Sequence, residues 1–229
     1  MTRSLRLGDT SGDTSGDSFG GMPCREVSGV AGTVPRSVLA DDEPVVMRGL
    51  VADWPSVRAA GDGNAAMLAY LRERAADKAI LAFQGDASQR GRYFYNEDLS
   101  GFNFERIQSK LGPLLDQLAG QERGEHCPYL YVGSTSIREY LPGFLEQNPL
   151  RIEGAKPVAS IWLGNRSRIA AHFDAPANVA CCVAGRRRFT LFPPEQLPNR
   201  YVGPLDFTPA GQAISLVDFA APDLQRFPG

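Results

Sequence analysis

His172, Phe173 and Asp174 carry the side chains in this sequence best suited to chemistry. On a β-strand, residues two apart point to one face, so an imidazole and a carboxylate would stand side by side. Such a pair supplies two corners of the 2-His-1-carboxylate triad that holds non-haem Fe(II). The third corner requires a later histidine. The sequence has two histidines, His126 and His172, and none between Asp174 and Gly229. A His-x-Asp pair also arises by chance, and a surface histidine beside an aspartate is the plain alternative. Pro176 is expected to end the strand near Asp174, leaving both side chains at a rim.

Two neighbouring segments read as partners of this pair. In Asn178 to Ala184, alternate positions Ala180, Cys182 and Ala184 are all small. One face of that strand would leave room for a ligand, where a filled barrel interior takes Val, Ile or Leu; close packing against another element is the competing reading. In Arg186 to Phe192, Arg187 shares a face with Phe189 and Leu191. A guanidinium drawn inward needs a partner, and a ligand carboxylate gripped by two parallel hydrogen bonds is one. An internal Asp or Glu, or a side chain reaching back to solvent, would serve equally. His126-Cys127 lacks a CxxC or HxxxH companion and reads as structural rather than metal-binding.

These residues need a scaffold. At 229 residues, with 43% hydrophobic and 22% charged side chains, the chain suits one globular domain with an N-terminal extension. A net charge of −2 gives no general attraction to nucleic acid or anionic lipid. No apolar run approaches the ~20 residues that span a bilayer. No secretory h-region is present in residues 1–22, and the four cysteines lack scaffold-like spacing. A cytoplasmic protein with reduced thiols is the expectation.

The near-repeat from Gly8 to Asp17 predicts a disordered tail over 1–22, ahead of a domain spanning 23–229. Within that domain, about 44–150 reads as mixed helix and strand, and about 156–229 as a β-rich core. Val45 to Leu50 predicts a short strand, followed by Asp53-Trp54-Pro55. Asn64 is placed to cap a helix through about Asp77. Asn103 is placed to cap another containing Ile107, Leu111, Leu114, Leu115 and Leu118, kinked or split at Pro113. Tyr129 to Val132 is strand-like, and Ser136-Ile137-Arg138-Glu139 has the form of a capping box. Strands are then expected at Val158–Leu163, Ile169–Asp174, Asn178–Ala184 and Arg186–Phe192.

In these segments the sequence resembles the JmjC and cupin-like hydroxylases of bacterial type, Fe(II)- and 2-oxoglutarate-dependent oxygenases built on a double-stranded β-helix, the cupin or jelly-roll fold. The resemblance runs from about Pro44 to Pro228. It takes in Pro44 to Leu50 with Asp53-Trp54-Pro55, His172-Phe173-Asp174, Asn178, Gly185 to Phe189, Leu191 to Pro194, Ser215 to Phe219, and Pro222-Asp223 with Arg226-Phe227-Pro228. It implies an α+β chain, mainly β, with His172 and Asp174 as iron ligands. Arg187 falls where such enzymes place a Lys for the distal carboxylate of 2-oxoglutarate, and Asn178 and Tyr131 fall near positions lining that pocket. Ile169, three before the histidine, replaces a hydroxyl common in relatives. The family's last barrel strands, which bring the second histidine, are missing here, as expected either of a fragment of a longer product or of a shortened remnant that needs a partner. A protein side chain or an RNA base is the implied substrate, and a homodimer is one assembly open to the chain. The alternative is a non-catalytic cupin-like module used for binding or assembly.

Overall fold

The computed structural model describes residues 3–6, 22–122 and 128–228. The repeat-bearing remainder of the expected tail and the His126-Cys127 pair lie outside them. The chain divides into two compact units. One comprises 1–70, 144–157 and 177–196; the other comprises 71–143, 158–176 and 197–229.

The second unit is built on a four-stranded antiparallel sheet, in the order Ser160–Gly164, Tyr129–Ser136, Ala79–Gly85, Phe104–Lys110. Alternation sets its inner face: Ile80 and Ala82 are buried while Ala79 and Leu81 are exposed. Leu130 and Val132 are fully enclosed, and so are Leu111, Leu114 and Leu115 of the helix Leu111–Glu122. Beside the sheet, Tyr93, Phe104 and Tyr131 form a buried aromatic cluster, against which Phe83, Phe102, Tyr129 and Ile169 pack. A two-rung parallel ladder pairs Arg168 with Arg92 and Ile169 with Tyr93, binding the cluster to the segment that leads to His172.

The first unit holds short ladders, Arg25–Val27 on Val45–Met47 and Arg151–Ile152 on Thr33–Val34. Arg3–Arg6, within the expected tail, pairs with Arg188–Leu191. Trp54 is buried and donates from Nε1 to the Pro149 carbonyl at 2.9 Å, which explains the Asp-Trp-Pro signature as an anchor. Asn148 is the buried polar hub. Its Oδ1 accepts from the Ser56 amide (3.1 Å) and hydroxyl (2.6 Å), and its Nδ2 donates to Tyr70 Oη and the Phe144 carbonyl, both at 2.8 Å.

Several expectations are corrected. Among the described residues no closed barrel forms: the remaining sheets have two or three strands. Ile169–Asp174 is strand only at Arg168–Ile169, Asn178–Ala184 is not strand at all, and Arg186–Phe192 is strand only at Arg188–Leu191. Alternating side chains are not sufficient, because a strand exists only where a neighbour takes its N–H and C=O groups. No described strand pairs with 170–187. Here alternation survives only as partial cover of Val179, Cys181 and Val183, so the small face of Ala180, Cys182 and Ala184 is turned to solvent.

Phe104–Lys110, expected to be helical, is a strand. Asn103 does not cap it. Its Oδ1 accepts from the Phe94 amide, and its Nδ2 donates to Gln89 Oε1 and the Arg92 carbonyl. The helix starts at Leu111, which puts Pro113 in its first turn, where the missing N–H costs nothing and no kink results. The helix containing Asn64 ends at Arg72, short of Asp77. Ser136 sits at the N-cap of Ile137–Tyr140, but its side chain makes no cap bond.

Large apolar side chains left open concentrate in the second unit: Val158 is 91% exposed, Leu205 79%, Phe173 71% and Leu224 67%. Apolar area of this kind is ordinarily covered by protein.

Candidate metal-binding pair

His172 and Asp174 lie together, with Nε2 and Oδ1 3.8 Å apart, although the segment is not strand. Each side chain is held by a second contact. His172 Nδ1 lies 2.8 Å from the Ala170 carbonyl oxygen. A carbonyl only accepts, so Nδ1 carries a proton, which leaves Nε2 as the ring atom that faces the carboxylate. Asp174 Oδ1 accepts from Gln212 Nε2 at 2.9 Å. Nε2 and Oδ1 therefore face each other as two atoms able to hold a cation, a metal ion or a shared proton.

The segment behind the pair is pinned as well. Ala171 C=O accepts from the Ser215 amide at 2.7 Å, and buried Ser215 donates from Oγ to the Arg200 carbonyl at 2.6 Å. Gly91 C=O accepts from the Arg168 amide at 2.7 Å. Asp218 lies 3.4 Å from both Arg92 Nε and Arg168 Nη1, bridging the two arginines of the same ladder. Burial lowers the Arg92 pKa, while Asp218 raises it.

Two ligands of a first-row ion at right angles lie about 3 Å apart, a little closer than the 3.8 Å seen here. The donor types, the fixed tautomer and the carboxylate's amide partner match what a metal-binding His/Asp pair requires. Iron of the facial-triad kind fits as far as two donors go. No cluster of three or more His, Cys, Asp or Glu side chains is gathered among the described residues.

The other expected site residues fall in both units. Tyr131 is buried in the aromatic cluster of the unit that carries His172 and Asp174, its ring 5.5 Å from that of Tyr93. Asn178 is exposed and Arg187 half-buried in the other unit, where the Arg187 guanidinium lies 5.6 Å from the centre of the Phe189 ring. A cavity of about 400 Å³ occurs in that same unit, lined by Gly32, Leu50, Asp53, Trp54, Arg58 and Pro149 among others. It contains neither Arg187 nor Asn178. The thiols of Cys24, Cys181 and Cys182 are not in disulfides. Burial pushes Cys181 up to about 11.

Sequence reasoning missed Gln212, which reaches Asp174 from 38 positions away with no local signal. It also missed Tyr93, although the run Arg92-Tyr93-Phe94-Tyr95 is dense in aromatics and marks a buried segment.

The cupin-like domain family matches this chain over residues 31–229, and the chain belongs to that family. Among the described residues no helix is long and apolar enough to cross a membrane.

Proposed function

We propose that this chain is an Fe(II)- and 2-oxoglutarate-dependent oxygenase that hydroxylates a protein side chain or an RNA base in the cytoplasm. The observation that carries the reading is the convergence of His172 Nε2 and Asp174 Oδ1 at 3.8 Å, with Nδ1 already committed to Ala170. Iron with 2-oxoglutarate supplies O₂ activation coupled to decarboxylation of the 2-oxo acid to succinate. His172 and Asp174 are the two protein ligands on this reading, and the third comes from outside the described residues. The Ala170 carbonyl fixes the imidazole's tautomer, and Gln212 fixes the carboxylate's rotation. The resemblance assigns Arg187 to the distal carboxylate of 2-oxoglutarate, which a planar guanidinium can grip by two parallel N–H bonds and an ammonium cannot. Asn178 and Tyr131 are the other residues that the resemblance assigns to the cosubstrate.

The test is metal retention and turnover on the purified chain. Wild type should retain Fe(II) and release succinate from 2-oxoglutarate in the presence of O₂. Asp174→Ala should lose both while keeping the far-UV circular dichroism of the parent. Turnover that survives the substitution would rule out the ligand assignment. One observation favours a second reading, a non-catalytic binding or assembly module: only two donors are gathered among the described residues. A wild-type chain that retains no metal would select that reading.

A further inference from the structure

Tyr93 Oη is the one buried side-chain N or O atom among the described residues that has no hydrogen-bond partner. The residue is 4% exposed, and its ring is packed against Phe104, Phe83 and Tyr131. A buried hydroxyl without an acceptor is a net cost to folding, and Phe would fill the same space without that penalty. The position is also specific. Tyr93 is the register partner of Ile169 in the parallel ladder, and Ile169 packs on the Tyr93 cluster three residues before His172. The phenol therefore stands in the ring cluster shared with Tyr131, next to the segment that presents the His/Asp pair. Ile169 itself offers no polar atom there.

We infer that Tyr93 is a ligand-binding residue whose hydroxyl donates to a carboxylate oxygen of the 2-oxo acid held beside His172 and Asp174. The inference rests on the cosubstrate reading above and adds to it a donor from the Arg92–Tyr93 strand. The chemistry suits the task. Burial raises the Tyr93 pKa, and the neighbouring Tyr131 and Tyr129 raise it further, so the group stays a neutral O–H donor at every working pH. A neutral donor spares the aromatic cluster a buried charge while no ligand is bound.

The experiment uses the full chain loaded with Mn(II), with 2-oxoglutarate as probe, comparing wild type and Tyr93→Phe. Equilibrium binding and melting temperature are both measured. Tyr93→Phe should melt at or above the wild-type temperature without ligand, because it removes an unsatisfied group. Its Kd for 2-oxoglutarate should rise about tenfold, the usual worth of one lost hydrogen bond. An unchanged Kd overturns the role of Tyr93 and leaves the cosubstrate reading intact. A ligand-free melting temperature several degrees lower shows that the hydroxyl already has a partner, such as an enclosed water, and also overturns it. A wild-type chain that binds no 2-oxoglutarate overturns the cosubstrate reading and the role of Tyr93 together.

Discussion

Gly91→Ala should loosen the ladder that leads to the His/Asp pair. Gly91 has a φ of +75°, a left-handed conformation. A methyl there meets the Arg166 carbonyl group, whose carbon would be 3.0 Å away, and Tyr129 Cδ1 at 3.3 Å. Left-handed backbone costs a non-glycine residue about 1–2 kcal/mol. Relieving the clash moves the Gly91 carbonyl off the Arg168 amide, forfeiting about 1 kcal/mol more. The sum is about 2–3 kcal/mol. Gly143 provides the control: its φ is +79°, and nothing lies within 4 Å of the place a methyl would take. Gly143→Ala should therefore cost only the conformational part, about 1–2 kcal/mol. Urea unfolding measures both losses, and amide exchange at Arg168 should quicken in Gly91→Ala alone. Equal losses in the two variants, or unchanged exchange at Arg168, would refute the claim that the Arg166 contact fixes this ladder.

Three further outcomes are expected. Asn148→Leu should destabilise the chain by about 2–4 kcal/mol, because the Ser56 amide and hydroxyl lose their buried acceptor; a double-mutant cycle with Ser56→Ala should show coupling, and additivity would disprove the hub. Cys181, raised by burial, stays a thiol until the pH nears 11, so its alkylation at pH 8 should be far slower than that of a free cysteine and climb steeply toward that pH; mass spectrometry of iodoacetamide adducts reads this directly. Arg187→Ala should mainly raise the apparent 2-oxoglutarate KM, and an unaltered KM would make Arg187 structural.

The sequence revealed the parts that depend on local pattern. Tyr129–Ser136 and Ser160–Gly164 are strands close to where β-rich composition placed them, and the leucines at 111, 114, 115 and 118 do form one buried helix face. Ile107 misled because it stands four before Leu111, a helical interval, yet it belongs to the strand paired with Ala79–Gly85. Only the partner strand decides between those two readings. The same limit governs 170–187, where alternation was visible and pairing was not. His172 and Asp174 do lie together, but not for the reason the spacing suggested: their segment is not strand and both residues are exposed, and the contacts from Gln212 and Ser215 that hold it depend on chain segments brought together by folding.

The chain's two tryptophans fall one in each compact unit: Trp54 is 9% exposed in the first, and Trp162 is 48% exposed in the second. Their emission offers an intrinsic optical handle on each unit without labelling. Acrylamide should quench the indole of Trp162 readily and spare that of Trp54, so a denaturation curve followed at both ends of the emission band would distinguish concerted melting from sequential melting.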